Sequence, residues 1–239
     1  SITVDDVWRF ENLYGRGEPT MVIAEPSDQQ EEFMAFLGTI IEEIKKGGVD
    51  QEMWNMLNVT SKGLANALDL RLLQPDAPRN PNGKIALAAR KIIEIYRQTD
   101  KVKGTQLVFS DLGTPDPKDS KAAQMLHGTD VAEENRRLEE KAQREGKQYK
   151  PKKPFTVYDA LRDELIEGGI PPQEIEFMHN MKSDLDRVML DQRVNSGTIR
   201  VLMGSTAKLG TGRNLQKRIV ALHELDIVWN PRDSIQRLG

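Results

Sequence analysis

From Gly104 onward the chain alternates short apolar runs with helical stretches, and that alternation leaves few folds open. TQLVFS (105–110), IEFMH (175–179), IRVLMGST (199–206) and IVALHELDIVW (219–229) read as strands or contain one. Between them, YDALRDELIEGG (158–169) and residues 184–196 have helical spacing, the latter with Leu185, Val188 and Met189 expected to face inward. Strand–helix–strand units with short connections make right-handed crossovers, and the resulting parallel sheet is covered on both faces. The expected fold class is therefore α/β. Such sheets bind ligands at the carboxyl ends of their strands.

The first hundred residues have a different texture. Ser27 and Gln30 form a capping-box pattern, and Phe33, Phe36, Leu37, Ile40, Ile41 and Ile44 follow at helical spacing up to Gly47–Gly48. A second helical stretch runs from about Met53 to Leu72, and the proline-rich PDAPRNPNG (75–83) is a loop. A third helix follows, with Ile85, Ala88, Ala89, Ile92 and Tyr96 on one stripe. The expected organisation is an all-helical segment, 1–103, ahead of an α/β lobe, 104–239. A polar insert at about 112–154 interrupts the lobe, and it is too polar to bury much surface.

Composition excludes several chemistries. There is no cysteine, so disulfides, thiolate metal sites and thiol nucleophiles are ruled out. Three widely spaced histidines, His127, His179 and His223, suggest no metal site. No apolar run approaches the roughly 18–20 residues that span a bilayer. The N-terminus lacks the features of a signal peptide, so a cytoplasmic protein with no membrane partner is expected. The net charge of −3 conceals an uneven spread. Residues 24–52 carry −6, residues 136–154 carry +5 and residues 197–239 carry +4. A basic rear is compatible with phosphate contacts, and equally with solvated helix faces.

The most informative stretch is GSTAKLGTGRNLQ, 204–216, directly after a buried-type strand. Gly204, Gly210 and Gly212 let backbone amides approach a phosphate or ribose. Ser205, Thr206, Lys208, Arg213 and Asn214 supply donors around that backbone. A tight strand-to-helix turn without a ligand gives the same glycine spacing, and the loop by itself leaves both open. It is neither a dinucleotide fingerprint nor a P-loop. LDIVWNPRDSIQRLG (225–239) follows, with Gln236 and Arg237 on the first turn of an expected helix.

Taken in order, TQLVFSD, IEFMHN, SGTIRVLMGSTAKLGTGRNLQ and WNPRDSIQRLG resemble the second RecA-like lobe of superfamily-two helicases. IRVLMGSTAKLGTGRNL is similar to their motif V and DSIQRLG to the start of motif VI. The WNP tripeptide is similar to that of Swi/Snf-type DNA translocases. EPSDQQEEFM and WNMLNVTSKGLANALDLRLL resemble the large helicase–methylase proteins of phages, plasmids and conjugative elements, the DarB-like antirestriction group.

The resemblance implies a RecA-like sheet and a division of labour. Ser205 and Thr206 would face the DNA backbone, with Lys208 able to serve either ligand. Ser110, Asp111 and His179 occupy loops that often touch DNA in this family. For His179 a simple strand-end histidine is at least as good a reading. Gly210, Thr211, Gly212 and Asn214 would lie toward ATP between the lobes. Motif VI supplies arginines to the transferring phosphoryl group. Here the sequence stops at Gly239, before the position of the principal finger arginine, so Arg237, with Gln236, is expected to organise the cleft.

The family's P-loop and magnesium-holding acidic motif are absent, and so is any methylase motif. Asp163–Glu164 imitates the acidic motif but lies in an amphipathic helix, as a solvated face. The chain thus reads as half of a motor. ATP, with magnesium, would be held through a partner N-terminal lobe of the same parent protein, and none would bind tightly here. DNA would be contacted mainly at its backbone, and a DNA methylase would be fused or associated. The chain alone should be inactive. The alternative is a non-catalytic α/β module that docks DNA or protein. A stand-alone nucleotide enzyme is disfavoured, since no complete phosphate loop or general-base cluster is present.

Overall fold

A computed structural model describes residues 20–48, 54–115, 155–209, 215 and 217–226, with Glu140 and Arg144. Among the described residues three α-helices come first, α1 (Asp28–Lys46), α2 (Met56–Leu68) and α3 (Lys84–Gln98). Strand β1 (Thr105–Phe109) follows, then α4 (Val157–Glu167), β2 (Ile175–Phe177), α5 (Asp184–Ser196), β3 (Val201–Gly204), the short α6 (Thr206–Leu209) and β4 (Ile219–Glu224). The four strands form one parallel sheet in the order β2-β3-β1-β4. This is the α/β, RecA-like arrangement expected above, preceded by helices.

Local signals set the helix ends. Ser27 Oγ accepts from the Gln30 amide, and the Gln30 side chain accepts from the Ser27 amide at 3.0 Å, closing the capping box of α1. Ser183 and Asp186 do the same for α5, and Thr156 caps α4. Gln30 and Asn66 exchange side-chain hydrogen bonds with each other's carbonyls, pinning α1 to α2.

Strand alternation sends side chains to two separate cores. Val108, Val201, Met203, Ile175 and Phe177 face α3 and α4, where Ile85, Ala89, Ile92, Leu161 and Leu165 meet them. Leu107, Phe109 and Leu202 face the other way, against Leu190 and Val194 of α5 and Leu209 of α6. Helix α3, read from sequence as part of the helical segment, therefore shares a core with the sheet. The inward face expected for α5 is corrected. Leu185, Val188 and Met189 are exposed, and Leu190 and Val194 face the sheet instead. The helix carries two apolar stripes, and periodicity alone does not choose between them.

Arg200 enters the base of this core with no exposed surface. Its Nε donates to the Gly104 carbonyl at 2.7 Å, and Nη2 donates to the Tyr96 carbonyl at 2.8 Å and to Thr99 Oγ1 at 3.1 Å. Nη1 reaches Asp100 at 3.2 Å, and the guanidinium lies 4.2 Å from the Tyr96 ring centroid. Burial, with Glu174 accepting from its hydroxyl, pushes the Tyr96 phenol up to about 12, so it stays a donor. Replacing Arg200 by Leu takes a donor from each of four acceptors. The expected loss is about 3 kcal/mol or more, read from the midpoint of urea unfolding.

Gln106 crosses the same core higher up. Its Nε2 donates to the Ile92 carbonyl at 2.9 Å, so its Oε1 is left to accept from His223 Nε2, also at 2.9 Å. Burial, then the nearby Lys91 charge, lowers the His223 pKa to about 4. A group harder to protonate folded than unfolded contributes stability above its unfolded pKa, near 6.5, and loses it as pH falls toward 4. Urea unfolding at pH 7 and pH 5 should therefore differ by about 2 kcal/mol. The difference attributable to this group should vanish in His223→Gln.

Candidate nucleic-acid interface

The strands run parallel, so the loops after β1, β2 and β3 emerge at one edge. Gly204 closes β3 where a Cβ would come within 2.5 Å of Leu209 Cγ and 3.2 Å of Met178 Cβ. Only glycine lets α6 fold back so closely. The strand ends at Gly204 rather than continuing to Thr206, and Thr206 opens α6.

Two predicted segments meet there. Asp111 Oδ1 accepts from the Thr206 amide at 2.7 Å, and Oδ2 accepts from the Thr206 hydroxyl at 2.8 Å, across 95 residues of sequence. Ser110 donates its amide to the Gly204 carbonyl at 3.2 Å, which holds the two loops in register. Ser110 is buried, and its hydroxyl is used inside the chain, toward the Leu112 carbonyl and Asp226. Ser205 has no exposed surface, and its buried hydroxyl has no hydrogen-bond partner. Unmet polar groups at such depth are rare. Lys208 is half-buried on the following turn.

His179 lies not in the strand but in the 3-10 turn Met178–Asn180 after it. Its ring packs edge-on against Tyr158, 4.9 Å between centroids. Tyr158 in turn donates its hydroxyl to the Ser110 carbonyl at 2.7 Å. One tyrosine thus ties the β2 loop to the β1 loop. Gly210, Thr211, Gly212, Asn214, Gln236 and Arg237 lie outside the described residues, as do Arg213, the WNP tripeptide and residues 116–139 of the insert.

Two participants carried no motif signal. Asp226, after β4, accepts through Oδ2 from the backbone amides of Asp111 at 2.5 Å and Leu112 at 2.7 Å. Lys84, the first residue of α3, is half-buried beside it. Burial lowers the Lys84 pKa, and the Asp226 carboxylate opposes that shift. The edge therefore combines acidic anchors, held by backbone donors, with the cations Lys84 and Lys208. Among the described residues no cluster of His, Asp or Glu is placed to hold a metal ion, and no helix is long and apolar enough to cross a membrane.

Compared with known protein families, curated proteins and solved structures, the chain matches none.

Asp226→Ala should destabilise the fold by about 2 kcal/mol, since it strands two amides. It should also lower the Lys84 pKa further, by removing the charge that opposes burial. Asp226→Asn keeps an acceptor and should restore stability while leaving Lys84 low. Urea unfolding and NMR titration of the lysine ε-methylene separate the two effects.

Proposed function

We propose that the chain is the second RecA-like lobe of an ATP-dependent DNA helicase or translocase of superfamily two, of the Swi/Snf-like, helicase–methylase kind. The observation that carries this reading is the hydrogen-bonded junction of Asp111 with Thr206. It joins two segments that the motif resemblance assigns to one DNA-facing surface, at the ligand-binding edge of a parallel sheet. Ser205 has no exposed surface and offers a phosphodiester no direct contact, so the half-buried Lys208 side chain on the following turn supplies the donor suited to one.

In this reading the motor works in the cytoplasm, on DNA brought by a phage, plasmid or conjugative element. ATP and magnesium would be held through the P-loop lobe of the parent protein, with Gly210, Thr211, Gly212 and Asn214 assigned to that nucleotide and Gln236 and Arg237 to organising the cleft. When bound, the nucleotide would supply a phosphoanhydride bond whose hydrolysis, with water taking the γ-phosphoryl group, drives movement. Ser110, Tyr158 and Asp226 hold the DNA-side loops in place while it does so.

A second reading is an α/β module that docks without hydrolysis. The outward stripe of Leu185, Val188 and Met189 favours it, since apolar residues at helical spacing on a surface suit a protein partner.

The chain alone should bind duplex DNA weakly, with log affinity falling linearly with log salt and little dependence on sequence. Lys208→Ala should reduce that slope by about one unit on every duplex. Fluorescence anisotropy across a salt series measures both. No ATP turnover is expected, with or without DNA. Robust hydrolysis by the chain alone, or sequence-specific and salt-insensitive binding, contradicts the proposal.

A further inference from the structure

A second cluster of charge lies away from the Asp111–Thr206 junction, along the outer edge of β2, the end strand of the described sheet. A cleft of about 140 Å³ opens there, lined by Arg162 from α4, Glu176 and Phe177 from β2, Asn180 from the turn after it and Arg193 from α5. Its volume is well below the roughly 300–1,000 Å³ of pockets that take drug-sized molecules, so it suits a single small group.

The donor and acceptor balance says which group. Glu176 is the one acid among these residues, and both its oxygens are engaged. Oε1 accepts from the Asn180 amide at 2.9 Å and from the Phe177 backbone at 3.2 Å, and Oε2 faces Arg193 Nη1 at 3.3 Å. Arg162 is different. Its Nε is sealed from solvent and has no hydrogen-bond partner, while its guanidinium lies over the Phe177 ring, 5.8 Å from the centroid. A guanidinium carries five N–H donors in a planar fork, of which Arg193 commits one to Glu176. Two arginines against one engaged carboxylate leave a net positive charge and a surplus of donors. The Nε–H stays internal, and the rest of the half-buried Arg162 guanidinium carries the donors that line the cleft. A tetrahedral oxyanion offers acceptors that match the fork.

We propose that this cleft binds a phosphate group, gripped by Arg162 and Arg193 with the Asn180 amide beside it. Glu176 acts as the positioning residue that aims Arg193 and Asn180. The phosphate belongs either to a small phosphorylated molecule or to a nucleic-acid backbone; the chemistry is shared, and the sources separate by experiment. The site is separate from the Asp111–Thr206 junction, although Asn180 shares the turn after β2 with His179.

The test uses the 239-residue chain and the NMR resonances of arginine Nε–H. Sodium phosphate should shift the Arg162 signal saturably, and sodium chloride at equal ionic strength should not. Arg162→Gln should weaken phosphate binding about tenfold or more, followed at the Asn180 side-chain amide. Lys208→Ala should leave it unchanged, which separates this site from the DNA-facing edge. A 12-base-pair duplex is then titrated. If it drives the same shift at lower concentration than free phosphate, the group is a backbone phosphodiester. If it leaves the signal still while free phosphate saturates it, the ligand is a small phosphorylated molecule. No saturable shift from either, or an equal shift from chloride, overturns the proposal. The wild-type titration decides the matter even if a variant fails to fold.

Discussion

The guanidinium of Arg200 fixes the base of the fold. A charge in an apolar interior is tolerated only when it is matched, and here carbonyls, a hydroxyl, a carboxylate and an aromatic face all meet it. Breaking such a site is costly, yet an apolar replacement of matched shape can be just as stable, so stability alone does not account for it. Its geometric effect is plainer. It locks the C-terminal end of α3 to the starts of β1 and β3 in one arrangement. Gln106 holds the middle of the same helix through the Ile92 carbonyl. Helix α3 is 15 residues long, a rod of about 22 Å. Fixed at its foot and waist, it delivers Lys84 to the opposite edge, beside Asp226. A helix without chemistry of its own in the sequence thus brings a cation to the edge where the loops converge.

That edge is organised by carboxylates acting as structural acceptors. Asp226 and Asp111 each collect donors from neighbouring loops. The negative charge is thereby spent on backbone and side-chain donors, and the cations set the field nearby. The cleft at β2 reverses the balance, with arginine donors outnumbering acceptors. Tyr158 and Phe177, edge to face at 5.4 Å, form the wall between the two regions. The Tyr158 hydroxyl serves the junction and the Phe177 ring carries Arg162.

Much of this architecture is legible in the sequence because local and global signals agree. The α3 stripe, the Ser27 capping box, the bounds of α5 and the apolar runs of β1 and β3 all reappear in the structure. The misjudged face of α5 shows where the signal fails. Leu185, Val188 and Met189 make as good a stripe as Leu190 and Val194, and only the sheet decides. Arg200 left a trace, a charge inside an apolar run, that hydropathy counting passes over. Lys84, Asp226, Tyr158 and Arg162 left none. Their significance comes from neighbours in other elements, 15 residues away for Arg162 and Phe177 and 142 for Lys84 and Asp226, and contacts of that kind are not written in any local pattern.

The central place of β1 has a further consequence, for the order of assembly. Both its neighbours, β3 and β4, lie far downstream in the chain. During synthesis β1 emerges long before either exists, with both edges open. The helices of the first hundred residues can form locally, but the sheet cannot begin to close around its own centre until β3 arrives. Non-local pairing of this sort folds slowly and leaves strand edges exposed meanwhile. A ribosome pausing between residues 110 and 200 would hold the chain in an aggregation-prone state, and release from that hazard waits on β3 and on Arg200, which directly precedes it and locks the base.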